Sequence, residues 1–179
     1  MLLQSFMRLV LLYRVRQGKE EKKRYKERLG YASLRRVGEK VVWLHAASVG
    51  ETAALVPLIN FLKAKSFTLL LTTGTVTAAA FAKNRFGNEI MHQYAPLDIK
   101  GVLERFLDHW RVSLSIVCES EVWPQRIMQL AERRIPQIWV NASLSERSYK
   151  NWLKRKNFAQ FIYLSLIHIS EPTRLRRIS

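Results

Sequence analysis

Val41-Val42-Trp43-Leu44-His45-Ala46-Ala47-Ser48-Val49-Gly50-Glu51 is the stretch that decides the fold class. An apolar run gives way to small residues, a glycine and a carboxylate. Thr52-Ala53-Ala54-Leu55-Val56-Pro57-Leu58-Ile59 then places its apolar residues at helical spacing. That order reads as buried strand, tight turn, helix. In an open parallel sheet, ligands bind in the crevice beyond the carboxyl ends of such strands. Gly50 reads as the residue that lets the backbone turn and approach a ligand. Glu51 falls near the helix N-terminus, where the dipole favours an ionised carboxylate. Two readings of Glu51 follow: a general base in a cleft, or a first-turn charge that serves the helix alone.

The same alternation continues downstream. The first helix is expected to run to about Lys65, and Phe67-Thr68-Leu69-Leu70-Leu71 reads as the second strand. Thr72, Thr73, Gly74, Thr75 and Thr77 then lead into an Ala-rich helix. Hydroxyls and free N–H groups at a helix N-terminus suit an anion or a sugar; an N-cap is the plainer use of Thr75 or Thr77. Ile90 to Tyr94 reads as a third strand, with Asp98 placed to cap a helix from Ile99 to Trp110. Leu114 to Val117 and Ile135 to Val140 read as the fourth and fifth strands. Strands alternating with helices predict an α/β fold, a Rossmann-like parallel sheet with flanking helices.

Two further stretches carry chemistry. In Glu119-Ser120-Glu121-Val122-Trp123-Pro124-Gln125, two acids sit at a strand-to-helix turn on the same sheet edge as Glu51. Like charges held close raise one pKa and so divide acid from base roles, although two first-turn acids also simply suit the helix dipole. Trp123 offers a face for a sugar or a core contact. Pro124 fits the first turn of the next helix. After the fifth strand comes Asn141-Ala142-Ser143-Leu144-Ser145-Glu146-Arg147-Ser148. There Arg147 is either a bidentate ligand for phosphate or carboxylate or a surface arginine.

Composition narrows the class. A chain of 179 residues, 48% hydrophobic, is long enough for one domain with a true core. The net charge of +16 calls for acidic partners. Cys118 is the single cysteine, which excludes an internal disulfide, and the four histidines lack metal-ligand spacing. Residues 1–40 hold twelve Lys and Arg against four acids, a net +8, behind the apolar start Met1 to Tyr13. That start is too short to span a bilayer and is interrupted by Arg8. An apolar anchor beside a basic cluster supplies the two signals that membrane attachment needs; a core helix is the other reading of the same pattern.

His45-Ala46-Ala47-Ser48-Val49-Gly50-Glu51 resembles the His-Ala-x-Ser-x-Gly-Glu signature of the Kdo transferases. These bacterial glycosyltransferases add 3-deoxy-D-manno-octulosonic acid (Kdo) to lipid A precursor. Further elements resemble that family: Arg28-Leu29-Gly30, the threonine run with Ala78 in place of a common glycine, and Tyr94, Pro96 and Asp98. Glu119 to Gln125 resembles its Glu-Ser-Glu-x-Trp-Pro-Asn, with Gln125 for Asn. Asn141, Ser145, Arg147 and Ser148 match a last element, in which Ser143 replaces a usual Arg.

The resemblance implies the N-terminal half of a GT-B-type enzyme, inverting and metal-independent, with no cofactor. Glu51 is then the catalytic base, and Ser48, Gly50, Thr73, Thr75, Glu119, Glu121, Trp123 and Arg147 are substrate-binding candidates. The implied partners are CMP-Kdo as donor, lipid A precursor as acceptor and an anionic membrane surface at the cytoplasmic face of the inner membrane, with no nucleic acid. A basic nucleic-acid-binding module and a membrane-surface module without catalysis are the competing readings; no RNP, helix-turn-helix or zinc pattern supports the first. The expected organisation is a membrane-interface segment over 1–40, the acceptor-binding domain over 41–163 and a tail over 164–179. That tail looks like the translation of a sequencing-library adapter and is set aside from the fold.

Overall fold

A computed structural model describes residues 2–118, 123–140 and 167–169. The helices are α1 (Leu2–Arg16), α2 (Val49–Ala54), α3 (Val56–Ala64), α4 (Val76–Phe86), α5 (Lys100–Trp110) and α6 (Pro124–Glu132). A 3-10 turn spans Tyr25–Leu29. The strands are β1 (Val41–Ala46), β2 (Thr68–Thr73), β3 (Met91–Tyr94), β4 (Val112–Cys118), β5 (Gln137–Val140) and β6 (Ile167–Ile169). They form one sheet in the order β3-β2-β1-β4-β5-β6, every pairing parallel. This is the Rossmann-like α/β architecture.

β1 is central and buried along its whole length, as a parallel strand covered on both faces must be. Its alternate residues feed two cores. Val42, Leu44 and Ala46 pack with Leu55, Ile59 and Leu62 of the first helical segment and with Ala82 and Phe86 of α4. Val41 and Trp43 face Leu103, Phe106, Leu107 and Trp110 of α5, and Leu130 of α6. The indole of Trp43 lies 4.6 Å from the Phe106 ring and donates to Thr72 Oγ1 at 2.8 Å, so its polar atom is satisfied inside the core.

The chain runs from β1 outward through β2 and β3, then returns to the other side of β1 with β4 and β5. The reversal lies between β1 and β4. Ligands bind beyond the carboxyl ends of the strands at such a switch point. His45 pairs with Val117 there, so the ends of β1 and β4 lie side by side.

Several expectations change. The helix expected to reach Lys65 is broken at Leu55 into α2 and α3. Pro57 has no N–H and its ring would meet the carbonyl of Ala53, so the ladder cannot run through it. Asp98 caps a helix, but not its own. α5 starts after Ile99 with no side-chain cap, while Asp98 accepts from the N–H groups of Gln125 (3.0 Å) and Arg126 (2.8 Å) at the start of α6. β5 begins at Gln137, one residue after Pro136, rather than at Ile135.

Residues 20–30 are not separable from the domain that follows. Glu20, Glu27, Arg28 and Leu29 are buried, and the Leu97 N–H donates to the Arg28 carbonyl at 2.8 Å. Gly30 ends the 3-10 turn at φ +81°, and a Cβ there would stand 2.2 Å from the Val102 carbonyl oxygen. Only glycine allows this turn to lie against α5. In the tail set aside above, Ile167–Ile169 pairs parallel with β5. An open sheet edge accepts any extended chain, so that pairing carries no information about the tail's origin.

Candidate active site

A cleft of about 360 Å³ opens at the carboxyl ends of the strands. His45 and Ala47 line it from β1 and the turn after it, Gly74 and Thr75 from the turn after β2, Ala95 from the end of β3, and Trp123 from the start of α6. Its other wall is helical: Met7, Val10, Leu11 and Arg14 recur at the spacing of one helix face on α1. The opposite face of α1 is turned to solvent, with Phe6 61%, Leu9 66% and Tyr13 61% exposed. Among the described residues no helix is long and apolar enough to cross a membrane.

Glu51 lies at the β1–α2 turn, nearly buried. One carboxylate oxygen accepts from the Ala47 N–H at 2.7 Å and the other from the Ser48 hydroxyl at 2.9 Å. Ser48 is the N-cap, accepting from the Glu51 N–H at 3.3 Å. This is a capping-box arrangement in which the acid reaches back one residue further than usual. The helix-serving reading of Glu51 is therefore realised in the bonds it makes. The two bonds also fix its carboxylate, and each oxygen keeps a lone pair for a further donor.

The glycine that lets the two strand-end turns meet is Gly74 rather than Gly50. Gly50 sits inside α2, and a Cβ there would meet nothing nearer than Ser48 Oγ at 4.0 Å. The tight contact is at Gly74, where a Cβ would lie 2.7 Å from the Ala47 carbonyl oxygen; the Gly74 N–H donates to that same oxygen at 3.1 Å. The turns after β1 and β2 are thus pinned to each other by backbone alone.

The threonine run divides. Thr75 caps α4, accepting from the Ala78 N–H at 3.2 Å, and sits 3.1 Å from Thr77 Oγ1 at the exposed cleft rim. Thr73 is fully buried, its hydroxyl 3.0 Å from His92 Nε2. Arg24 Nη2 lies 3.0 Å from His92 Nδ1. An arginine only donates, so Nδ1 accepts, Nε2 carries the proton, and Thr73 Oγ1 receives it. Burial, and then the charges of Arg24 and Arg28, hold His92 down to about 3, so the ring is neutral. Thr73 is part of this buried array rather than of the cleft wall.

Trp123 is half-buried and stands edge-on to His45, ring centroids 6.2 Å apart. Glu119, Glu121 and Arg147 lie outside the described residues, as do Asn141, Ser143, Ser145 and Ser148. Of the candidates, the structure brings Ser48 and Glu51 together at β1, and Thr75 and Trp123 onto the adjoining cleft.

Sequence reading missed the polar cluster beneath the cleft. Arg28 donates to Glu20 through Nε at 3.1 Å, to the Thr73 and Ala95 carbonyls through Nη1 at 3.4 and 3.3 Å, and to the Gly74 carbonyl through Nη2 at 2.6 Å. Glu27 accepts from Arg24 at 2.8 and 3.0 Å, from Ser33 at 2.5 Å and from the Tyr94 N–H at 2.7 Å. Tyr94 donates its hydroxyl to Glu21 at 2.5 Å; burial, reinforced by that bond, raises its pKa. The advance signals were the placing of Glu20, Glu21 and Glu27 inside a basic run and the family-like elements at Arg28 and Tyr94.

The family model described as 3-Deoxy-D-manno-octulosonic-acid transferase (kdotransferase) matches residues 23–177. The chain belongs to the Kdo transferase family. It is 38% identical over 146 residues to a probable mitochondrial 3-deoxy-D-manno-octulosonic acid transferase of Arabidopsis thaliana, covering 80% of this chain and 33% of that protein. It is 33% identical over 157 residues to the 3-deoxy-D-manno-octulosonic acid transferase of Rickettsia bellii, covering 86% and 37%. With the Haemophilus influenzae transferase the figures are 36% over 153 residues, 80% and 36%. The chain thus spans about a third of the length of these Kdo transferases.

Proposed function

We propose that this chain is the N-terminal, acceptor-binding domain of a GT-B-type, inverting Kdo transferase of lipopolysaccharide biosynthesis. Glu51 takes the proton of a sugar hydroxyl on the lipid A precursor. That oxygen attacks the anomeric carbon of Kdo in CMP-Kdo, the bond to the CMP phosphate breaks, and CMP leaves from the opposite face. The observation that carries this reading is the Glu51 carboxylate, held by the Ala47 N–H and the Ser48 hydroxyl at the switch point of the sheet. A base held by two protein donors reaches its substrate already oriented. Thr75 and Trp123 are assigned to the acceptor sugar, and Glu119, Glu121 and Arg147 to further substrate contacts.

The membrane belongs to the same reading. The outward face of α1, with Phe6, Leu9 and Tyr13, and the basic residues around it dock the protein on the cytoplasmic face of the inner membrane. Donor binding is assigned to a second domain, so residues 1–179 alone should bind acceptor without transferring Kdo. In an intact two-domain transferase carrying this sequence, Glu51→Gln should lower Kdo transfer by about 100-fold to 10,000-fold. Acceptor affinity should stay within about threefold. Retention of most turnover would remove Glu51 from the chemistry.

A further inference from the structure

Arg28 is 6% exposed, and its guanidinium lies over the buried Tyr94 ring. Besides Glu20, its partners are three backbone carbonyls, Thr73, Gly74 and Ala95, where β2 and β3 end. These carbonyls belong to the two turns that form one side of the cleft. The Gly74 turn in turn meets Ala47 through its N–H, at 3.1 Å, and Ala47 donates its own N–H to Glu51 Oε2 at 2.7 Å. From Glu20 to the carboxylate of Glu51 the contacts are continuous, and each is between groups with no slack: a buried guanidinium, a glycine that cannot be replaced, and a helix cap.

We propose that Arg28 is a positioning residue for the reaction: it ties the β2–α4 turn to the end of β3 and so fixes Gly74, whose backbone bond to Ala47 sets the Glu51 carboxylate. This rests on the reading of Glu51 as the base. An arginine suits the site because its planar fork aims Nε at Glu20 and Nη1 and Nη2 at three carbonyls in fixed directions, which a point-like ammonium on a flexible stem does not. Glu20 neutralises the buried charge and aims the fork, and Arg14 of α1 holds the other oxygen of Glu20 at 3.1 Å. The guanidinium is seated 4.8 Å from the Tyr94 ring centroid, which fixes its plane. Without it, Gly74 keeps only its bond to Ala47, and the pair of turns can shift together. A displacement of about 1 Å at a catalytic group is enough to cost on the order of 100-fold in rate.

The test uses an intact two-domain transferase carrying this N-terminal sequence, with Arg28→Met and Arg28→Lys made alone and in a Glu51→Gln background. Arg28→Met should lower kcat by about 100-fold while KM for CMP-Kdo moves less than about twofold, and Arg28→Lys should restore roughly a tenth of the wild-type rate. In the Glu51→Gln background, Arg28→Met should cost less than about threefold, because both changes remove one unit. Amide exchange at Ala47 and Gly74 should quicken at least about tenfold, with Leu44 and Leu70 of the core strands unchanged. Equal losses in both backgrounds, or unchanged exchange at Ala47, would show that Arg28 only holds the fold. If Glu51→Gln is itself active, the base assignment fails, and Ala47 exchange still decides whether Arg28 sets the turn. Should Arg28→Met not fold, the same measurements on Arg28→Lys decide.

Discussion

Acidification from about pH 7.5 to about pH 5 puts a proton on His92 in the unfolded chain and leaves it neutral in the folded one. Its ordinary value of 6.5 falls to about 3 in the fold, because the ring is buried and faces Arg24 and Arg28. Between those two values the unfolded state binds one proton more than the native state, so stability falls as pH falls. His92's contribution is fully present above about 6.5. It is lost at about 1.4 kcal/mol per pH unit below that, until the folded ring itself takes a proton near 3. At about pH 5 the loss is roughly 2 kcal/mol. His92→Gln keeps an acceptor for Arg24 and a donor for Thr73 but cannot titrate. Urea unfolding of both proteins at several pH values gives the comparison, in which carboxylates and the other histidines cancel. The variant should be flatter than wild type by about 2 kcal/mol over this range. Parallel curves would mean that His92 is protonated in the fold, and the Arg24–His92–Thr73 arrangement would be wrong.

Other outcomes test the rest of the polar cluster and the glycines. Glu27→Gln, which strips a buried carboxylate from Arg24 and puts an N–H where donors already point, should cost about 3–5 kcal/mol in urea unfolding; the exposed Glu39→Gln should stay within about 0.5 kcal/mol. Gly30→Ala should cost on the order of 3 kcal/mol or more, since strain at φ +81° adds to the collision with Val102. Gly18→Ala, at φ +70° with nothing within 4 Å, should cost about 1 kcal/mol, and equal effects would contradict the packing of residues 20–30. Leu9→Ser together with Tyr13→Ser should weaken binding to anionic vesicles more than about tenfold, measured by sedimentation, and added salt should weaken it further. No change would detach the outer face of α1 from the membrane.

Most of the sheet was readable because β1 is an apolar run followed at once by a helical period, and β2 and β4 repeat that contrast; the strand at Ile167–Ile169 was not read. Glu51 was readable at the end of β1 because turn chemistry is local. What escaped was set by distance in the chain. Asp98 caps a helix 27 residues away, since the α5 and α6 N-termini meet only in the folded sheet. Gly74 owes its necessity to Ala47, a neighbour only once β1 and β2 pair in register. A count of charges made residues 1–40 a basic membrane-interface segment set apart from the domain. The structure spends Arg24 and Arg28 on Glu27, Glu20 and the strand ends, and burial of such pairs leaves no trace in composition.

The pairing of Ile167–Ile169 with β5 bears on how the protein behaves at high concentration. β5 is four residues long and would otherwise present a row of unmatched N–H and C=O groups at the margin of the sheet. A chain ending at residue 163 would leave that row open, and a second molecule could fill it strand to strand. Such a shortened protein should self-associate in proportion to its concentration, whereas the longer chain carries its own cover for the same groups.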